Sequence, residues 1–227
     1  MRNLLTKLLY LSGIRVSFKP QPYSLLNSPV HTLSVKRRIS SLKDVFLKVE
    51  SIHGGEYERF ESELSHELKK PEDSDYSYYL SDSLRELDHD FYRVHRISMI
   101  LSLYAYLENA MMTLCEQRRG DSKFSVKDLS GSGIRRCKTF LETIGEYNFS
   151  DHHINPLWSK LTLLNNVRNS LAHTEGYISE DSKLKKKTIE GVEGLYFEDS
   201  PVVMIDKSYV LKSMDTVEKF LLYLCVD

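Results

Sequence analysis

Apolar residues recur along most of this chain three or four positions apart, the spacing of helices that bury one face. The clearest case lies between Leu84 and Cys115. There Leu84, Leu87, Phe91, Val94, Ile97, Leu101, Tyr104, Met111 and Cys115 make one stripe. Ser81 or Asp82 is placed to cap this longest helix, which runs to Arg119, before Gly120. Upstream, Leu42, Val45, Phe46, Val49 and Ile52 predict a helix beginning near Ser34 or Ser41 and interrupted at Gly54-Gly55. The charged run from Glu56 to Lys70 suits a continuation with a solvated face, and Pro71 to Ser77 reads as an acidic break. Residues 1–14 read as an amphipathic helix stopped by Gly13, and 17–33, with Pro20, Pro22 and Pro29, as an irregular connection.

Downstream of Gly131-Ser132-Gly133, a shorter helix from Ile134 to Tyr147 uses Cys137, Phe140, Leu141 and Ile144. Asn155-Pro156 starts the next, with Asn as cap and Pro in the first turn, and Gly176 stops it. Then the period changes. Gly191 and Gly194 punctuate short runs, Leu195-Tyr196-Phe197 and Val202 to Ile205 favour strands, and Glu198 to Pro201 favours a turn, so a hairpin is expected. Asp206 or Ser208 opens a last helix to Cys225, with Val210, Leu211, Met214, Val217, Phe220, Leu221 and Leu224 inward. The predicted class is mainly all-α: an up-and-down bundle of about four to five core helices with a small β-hairpin inserted before the last helix. Strands are too few for an α/β sheet. Residues 1–80 read as an N-terminal helical extension packed on the bundle, and 81–227 as the helical domain proper.

Composition agrees with a packed core: 41% of the 227 residues are hydrophobic and 28% charged. The net charge of −1 gives no overall field for a polyanion, so any nucleic-acid site must be a local patch or one assembled by oligomerisation. Basic clusters occur at Lys36-Arg37-Arg38, Arg118-Arg119, Arg135-Arg136 with Lys138, and Lys183 with Lys185-Lys186-Lys187. The 3 cysteines, Cys115, Cys137 and Cys225, share no short spacing, which favours a reducing, cytoplasmic setting. Lys7 breaks the apolar N-terminal run and no small-residue cleavage site comes after it, so a signal peptide is not expected. The apolar run from Ile97 to Leu114 carries Glu108 and Asn109 and reads as a core helix, with no membrane partner.

Candidate chemistry concentrates between Leu161 and His173. At about 100° per residue, Leu161, Leu163, Leu164, Val167, Leu171 and Ala172 fall on one arc, and Asn165, Asn166, Asn169, Ser170 and His173 on the other. Arg168 breaks the division, lying between Leu164 and Ala172. A guanidinium there cannot shed its proton and must be paired or hydrogen-bonded. Glu108, alone in its apolar run, has the complementary problem, so the two are expected to pair, either as a structural ion pair or as part of a site. His173, near the helix end, is either a dipole-stabilised His or a proton-transfer group, and Asn169, four residues earlier, can hold its ring or a phosphate oxygen. Arg168 and His173 point about 140° apart on one helix, so a second copy related by two-fold symmetry is needed to join them.

The Arg168-Asn169-Ser170-Leu171-Ala172-His173 segment, late in a helical domain, resembles the R-x4–6-H motif of the HEPN superfamily, whose commonest form has Asn directly after Arg. The helix bearing Glu108-Asn109 resembles the second long helix of that fold, where a polar or acidic residue neighbours the motif Arg. The likeness spans roughly Leu84 to Asp227. It implies a bundle that dimerises through the motif helices. It also implies a metal-independent endoribonuclease in which the ribose 2′-OH attacks, leaving 2′,3′-cyclic phosphate and 5′-OH ends. Arg168, Asn169 and His173 would be its catalytic residues, supported by Glu108, Asn165 and Tyr104. Family habit adds a bacterial defence or toxin–antitoxin role, with an antitoxin or defence-system partner protein. Other members are catalytically inactive modules that bind proteins or nucleotides.

Lys183, Lys185, Lys186 and Lys187 come after the motif helix and are candidates to grip RNA backbone. Tyr177 and Tyr196 are candidates to stack on bases. His152-His153 lacks the spacing of a metal motif, and the chain has no P-loop or dinucleotide fingerprint, so neither metal nor cofactor is expected.

Overall fold

The computed structural model describes residues 29–70, 75–119, 123–144, 147–180, 182, 184–198 and 200–225. The expected helix over 1–14 with its stop at Gly13, the prolines Pro20 and Pro22, residues 71–74 of the acidic break, and Gly120 lie outside the described residues.

Helix α1 (Pro29–Glu67) is 39 residues long and passes through Gly54 and Gly55 without interruption. Each glycine costs a helix roughly 0.5–1 kcal/mol, and tertiary contacts on both sides offset that cost. Before the pair, His53 packs edge-on against Tyr92 and His95, with centroids 5.4 and 6.0 Å away. After it, Phe60 meets Tyr79 at 6.5 Å, and the Tyr76 hydroxyl donates to Glu63 Oε2 at 2.6 Å. The inward stripe is Val35, Ile39, Leu42 and Phe46. Val45 and Ile52, expected inside, are 56% and 54% exposed because the stripe lies one residue away from them.

The second long element is continuous from Asp75 to Arg118. It comprises α2 (Asp75–Glu86), a π turn (Leu87–Tyr92) and α3 (Arg93–Arg118). It therefore starts before Ser81 and Asp82, which are helical rather than capping. Residue 80, the expected domain boundary, is a fully buried Leu80 inside α2. The wide π turn rotates the helix beyond it. The buried face of that helix is Met99, Ile100, Leu103, Leu107, Met111 and Leu114, while Phe91 and Val94 face outward at 48% and 61% exposure. By length and composition alone this element is apolar enough to cross a membrane, with an 18-residue window of mean hydropathy 1.2. Of that window, 39% is buried inside the protein.

Just past the π turn, Arg96 closes a two-pronged ion pair with Glu50 of α1, Nε to Oε1 and Nη2 to Oε2, both at 3.0 Å. Its Nη1 donates to the Ile205 carbonyl at 3.1 Å. Glu50 is 6% exposed. Three elements are thus tied by one guanidinium.

The remaining elements are α4 (Gly133–Thr143), α5 (Asn155–Thr174), the short α6 (Lys186–Glu190), β1 (Leu195–Phe197), β2 (Val203–Ile205) and α7 (Lys207–Cys225). The strands pair antiparallel, Leu195 opposite Ile205 and Phe197 opposite Val203. The fold is mainly α, with this small hairpin inserted before the last helix. Helix α7 packs against α1, α3 and α5, and Met214, Val217, Phe220 and Leu224 lie at the centre of one continuous core. Asp206 opens α7 by accepting the Ser208 N–H at 2.7 Å.

Candidate functional site

Helix α5 carries the motif. Pro156 sits in its first turn, where a missing N–H costs nothing. Asn155 is the first helical residue; Ile154, not Asn155, occupies the cap. At the other end the chain turns through Glu175 at φ 49° and Gly176 at φ 86°. The Gly176 N–H donates to the Ser170 carbonyl at 3.1 Å, closing the helix. A Cβ on Gly176 would lie 3.3 Å from the Val203 carbonyl oxygen. That closeness lets the Val203 N–H reach the Gly176 carbonyl at 2.9 Å, and the Ile178 N–H reach Pro201 at 2.9 Å. Arg93 of α3 adds a donor to the Glu175 carbonyl, a cation at a helix C-terminus. The end of the motif helix is thereby fastened to the hairpin and to α3.

The buried face of α5 is Leu161, Leu164, Val167 and Leu171. Ala172, expected inside, is exposed, so Arg168 stands at the edge of the apolar arc, half-buried. Its Nη1 donates to Asn169 Oδ1 at 2.8 Å, and Asn169 Nδ2 donates in turn to Asn165 Oδ1 at 3.3 Å. The guanidinium carbon lies over the Tyr104 ring, 4.9 Å from its centroid. The expected Arg168–Glu108 ion pair does not form. An amide oxygen and an aromatic face meet the needs of this half-buried Arg, and Glu108 is not required as its counter-ion. A buried ion pair is formed instead by Arg96 and Glu50.

Arg168 and Glu108 nevertheless share a polar cleft of about 340 Å³ with Tyr104, Asn165, Asn166 and Asn169. Its far wall is the start of α4: Ser132, Gly133 and Arg135. Gly133 adopts φ 57°, and a Cβ there would come within 3.0 Å of Glu108 Oε1 and 3.4 Å of the Tyr104 hydroxyl. Absence of a side chain lets the loop close over both groups. Tyr104 is 2% exposed. Burial, reinforced by the Glu108 charge and opposed by Arg168, pushes its phenol up to about 12, so it stays protonated at neutral pH. Glu108 makes no hydrogen bond or ion pair with another described residue.

The structure thus brings Arg168, Asn169, Asn165, Tyr104 and Glu108 together. It does not bring in His173, which is exposed in the last turn of α5 and does not line the cleft. Lys185, Lys186 and Lys187 lie at the start of α6, away from the cleft. Lys185 Nζ donates to the Glu180 carbonyl at 2.6 Å, Lys186 approaches Glu190 at 3.8 Å, and Lys187 is exposed. Lys183 lies outside the described residues. Tyr177 is 51% exposed, and its backbone bridges to Val202 beside the hairpin. Ser132, Gly133, Arg135 and Asn166 complete the cleft and were not among the expected site residues. The signal for the first three was a Gly-Ser-Gly turn entering a helix with two arginines.

Two other features stand apart. A cavity of about 470 Å³ opens between α5 and α7, bordered by Leu163, Val192 and Tyr209. In the turn before α5, Asp151, His152 and His153 bring potential ligand atoms within 4.8 Å of one another, although both histidines are exposed. A scan against protein-family models and searches of curated proteins and solved structures found no match to this chain.

Proposed function

We propose that this chain is a metal-independent endoribonuclease of HEPN type. The observation that carries the reading is Arg168, held by Asn169 and Tyr104 at a polar cleft, with no carboxylate ion pair among the described residues. A guanidinium fixed in direction and not neutralised suits a phosphodiester whose charge grows during reaction. In the reaction the ribose 2′-oxygen bonds to phosphorus, the bond to the 5′-oxygen breaks, and the products carry 2′,3′-cyclic phosphate and 5′-OH ends. Arg168 stabilises the phosphorane and Asn169 orients it. One His173 takes the 2′-hydroxyl proton, and His173 of the partner subunit gives a proton to the departing 5′-oxygen.

Two subunits are required because Arg168 and His173 diverge by about 140° on one helix. A homodimer through α5 brings each His173 to the other subunit's Arg168. The three cysteines are free and buried, in keeping with a cytoplasmic setting. A toxin or antiviral-defence role, with a protein partner that restrains the enzyme, rests on the motif's usual company alone.

Cleavage of single-stranded RNA with chelator present tests the reading. The wild type should cut and leave cyclic-phosphate ends, and His173→Ala should lower the rate by about 10²–10⁴. Equal cutting by the mutant sinks the assignment. The exposed His173, with no hydrogen bond to a described residue, favours a second reading: a catalytically inactive module that binds a protein or a nucleotide. RNA bound but left intact by the dimer would support that one.

A further inference from the structure

The cleft beside Arg168 holds a combination that a bare phosphate would not satisfy. Glu108 presents a half-buried carboxylate with no hydrogen-bond donor among the described residues. A phosphate brought against it would be repelled, and the carboxylate would lose water without gaining a partner. The same cleft is lined by Arg168 and Arg135, whose guanidiniums make no ion pair with a described carboxylate. A ligand that fits must therefore offer donors to Glu108 and acceptors or negative charge to the arginines. At about 340 Å³ the cleft lies at the small end of ligand sites, large enough for one nucleotide.

Hydrogen-bond complementarity narrows the ligand further. Guanine alone among the four RNA bases offers two adjacent donors, N1–H and the N2 amino group, to a single carboxylate. Adenine and cytosine place a ring-nitrogen acceptor next to their amino group, and that lone pair would face the carboxylate. Uracil offers one N–H between two carbonyl oxygens. Guanine's other edge carries the O6 and N7 acceptors that a guanidinium reads with two parallel bonds. Arg135 lines the cleft and can do so, while Arg168, which spends one N–H on Asn169, keeps its remaining donors for a phosphate.

We infer that this cleft is a guanine-reading nucleotide site, in which Glu108 accepts from the base's N1–H and N2 amino group, Arg135 donates to O6 and N7, and Arg168 is left for the phosphate. As applied to RNA, this rests on the ribonuclease reading, and it assigns that enzyme a guanine beside the cleaved bond. Glu108 then determines specificity and has no part in proton transfer.

The test uses the full chain with short single-stranded RNAs identical except at one position, which carries guanine, inosine, adenine, cytosine or uracil. GMP and AMP are titrated in parallel. Guanine should bind about tenfold or more tightly than adenine, the size of one two-bond base contact. Inosine, which lacks the N2 amino group, should fall between them. Glu108→Gln should erase the difference between guanine- and inosine-bearing RNA. Equal binding of all bases, or a preference for guanine over inosine that survives Glu108→Gln in a folded protein, overturns the inference and leaves the ribonuclease reading standing. GMP bound in a Glu108-dependent way by a protein that cuts no RNA supports the cleft and removes the ribonuclease reading. Failure of both GMP and guanine-bearing RNA to bind removes the inference outright. The inosine comparison needs no mutant and so does not depend on any variant folding.

Discussion

Arg96 and Arg168 meet different fates beside a carboxylate, and the difference sets what each contributes. Arg96 is locked to a nearly buried Glu50 by two parallel bonds. Removing one partner strands the other charge in the interior, so Arg96→Ala should cost roughly 3–5 kcal/mol in urea unfolding. Arg168 is half-buried and satisfied by an amide and an aromatic face, so Arg168→Ala should cost about 1 kcal/mol or less. The same mutant should nevertheless abolish RNA cleavage. A loss at Arg168 as large as that at Arg96 would mark it as structural and remove it from the chemistry.

A second residue-scale case involves pH. Burial would push the Asp206 carboxyl up, but the Ser208 N–H and hydroxyl and the Arg96 charge outweigh it and hold it below the usual carboxylate range. A folded-state value below the unfolded value of about 3.9 gives stability that is present above that pH. It is lost as pH falls through the folded value. Melting temperature should therefore decline below about pH 4, and Asp206→Asn should flatten that part of the curve while keeping a capping side chain.

Among the elements, glycines give the sharpest contrasts. Gly55 sits in mid-helix with open space where a Cβ would go. Gly55→Ala should stabilise the protein by about 0.5–1 kcal/mol, read as a rise in melting temperature. Gly133 has φ 57° and the Glu108 carboxylate against it. Gly133→Ala should cost about 1–2 kcal/mol for backbone handedness and should also weaken nucleotide binding by shifting Glu108. The helices and hairpin could be read from the sequence because their periods, caps and turn residues are local. The unbroken α1 could not. What carries it across Gly54-Gly55 is contact with Tyr92 and Tyr79, residues distant in sequence. The site divides in the same way. Arg168, Asn169 and Asn165 were visible as the polar side of one helix, whereas Ser132 and Arg135 join them only because α4 begins across from α3. Pairing Arg168 with Glu108 failed because sequence does not reveal that a guanidinium at a helix edge has an amide and a ring within reach.

For the whole molecule, a net charge of −1 means that any RNA affinity under the proposed function must come from a few local cations. Binding should weaken steeply with salt, and Arg168→Ala should reduce the slope of log K against log salt by about 0.7, the loss of one single-strand phosphate contact. Sedimentation should give a particle about twice 26.4 kDa. A monomer at high concentration would leave Arg168 without a His173 to work with.

The π turn between α2 and α3 bears on chain length as well as on shape. A wide turn amounts to one surplus residue in an otherwise regular helix. Deleting one residue between Leu87 and Tyr92 would restore an ordinary helix of similar length and helicity. The swing, about 100° and 1.5 Å, would carry α2 around relative to α3 and force a choice between two sets of contacts. Either Tyr92 and Arg96 keep their places against α1, or Leu80 keeps its burial. A chain related to this one but shorter by a residue here should have rebuilt the Glu50–Arg96 contact or abandoned it, and the two positions are expected to change together.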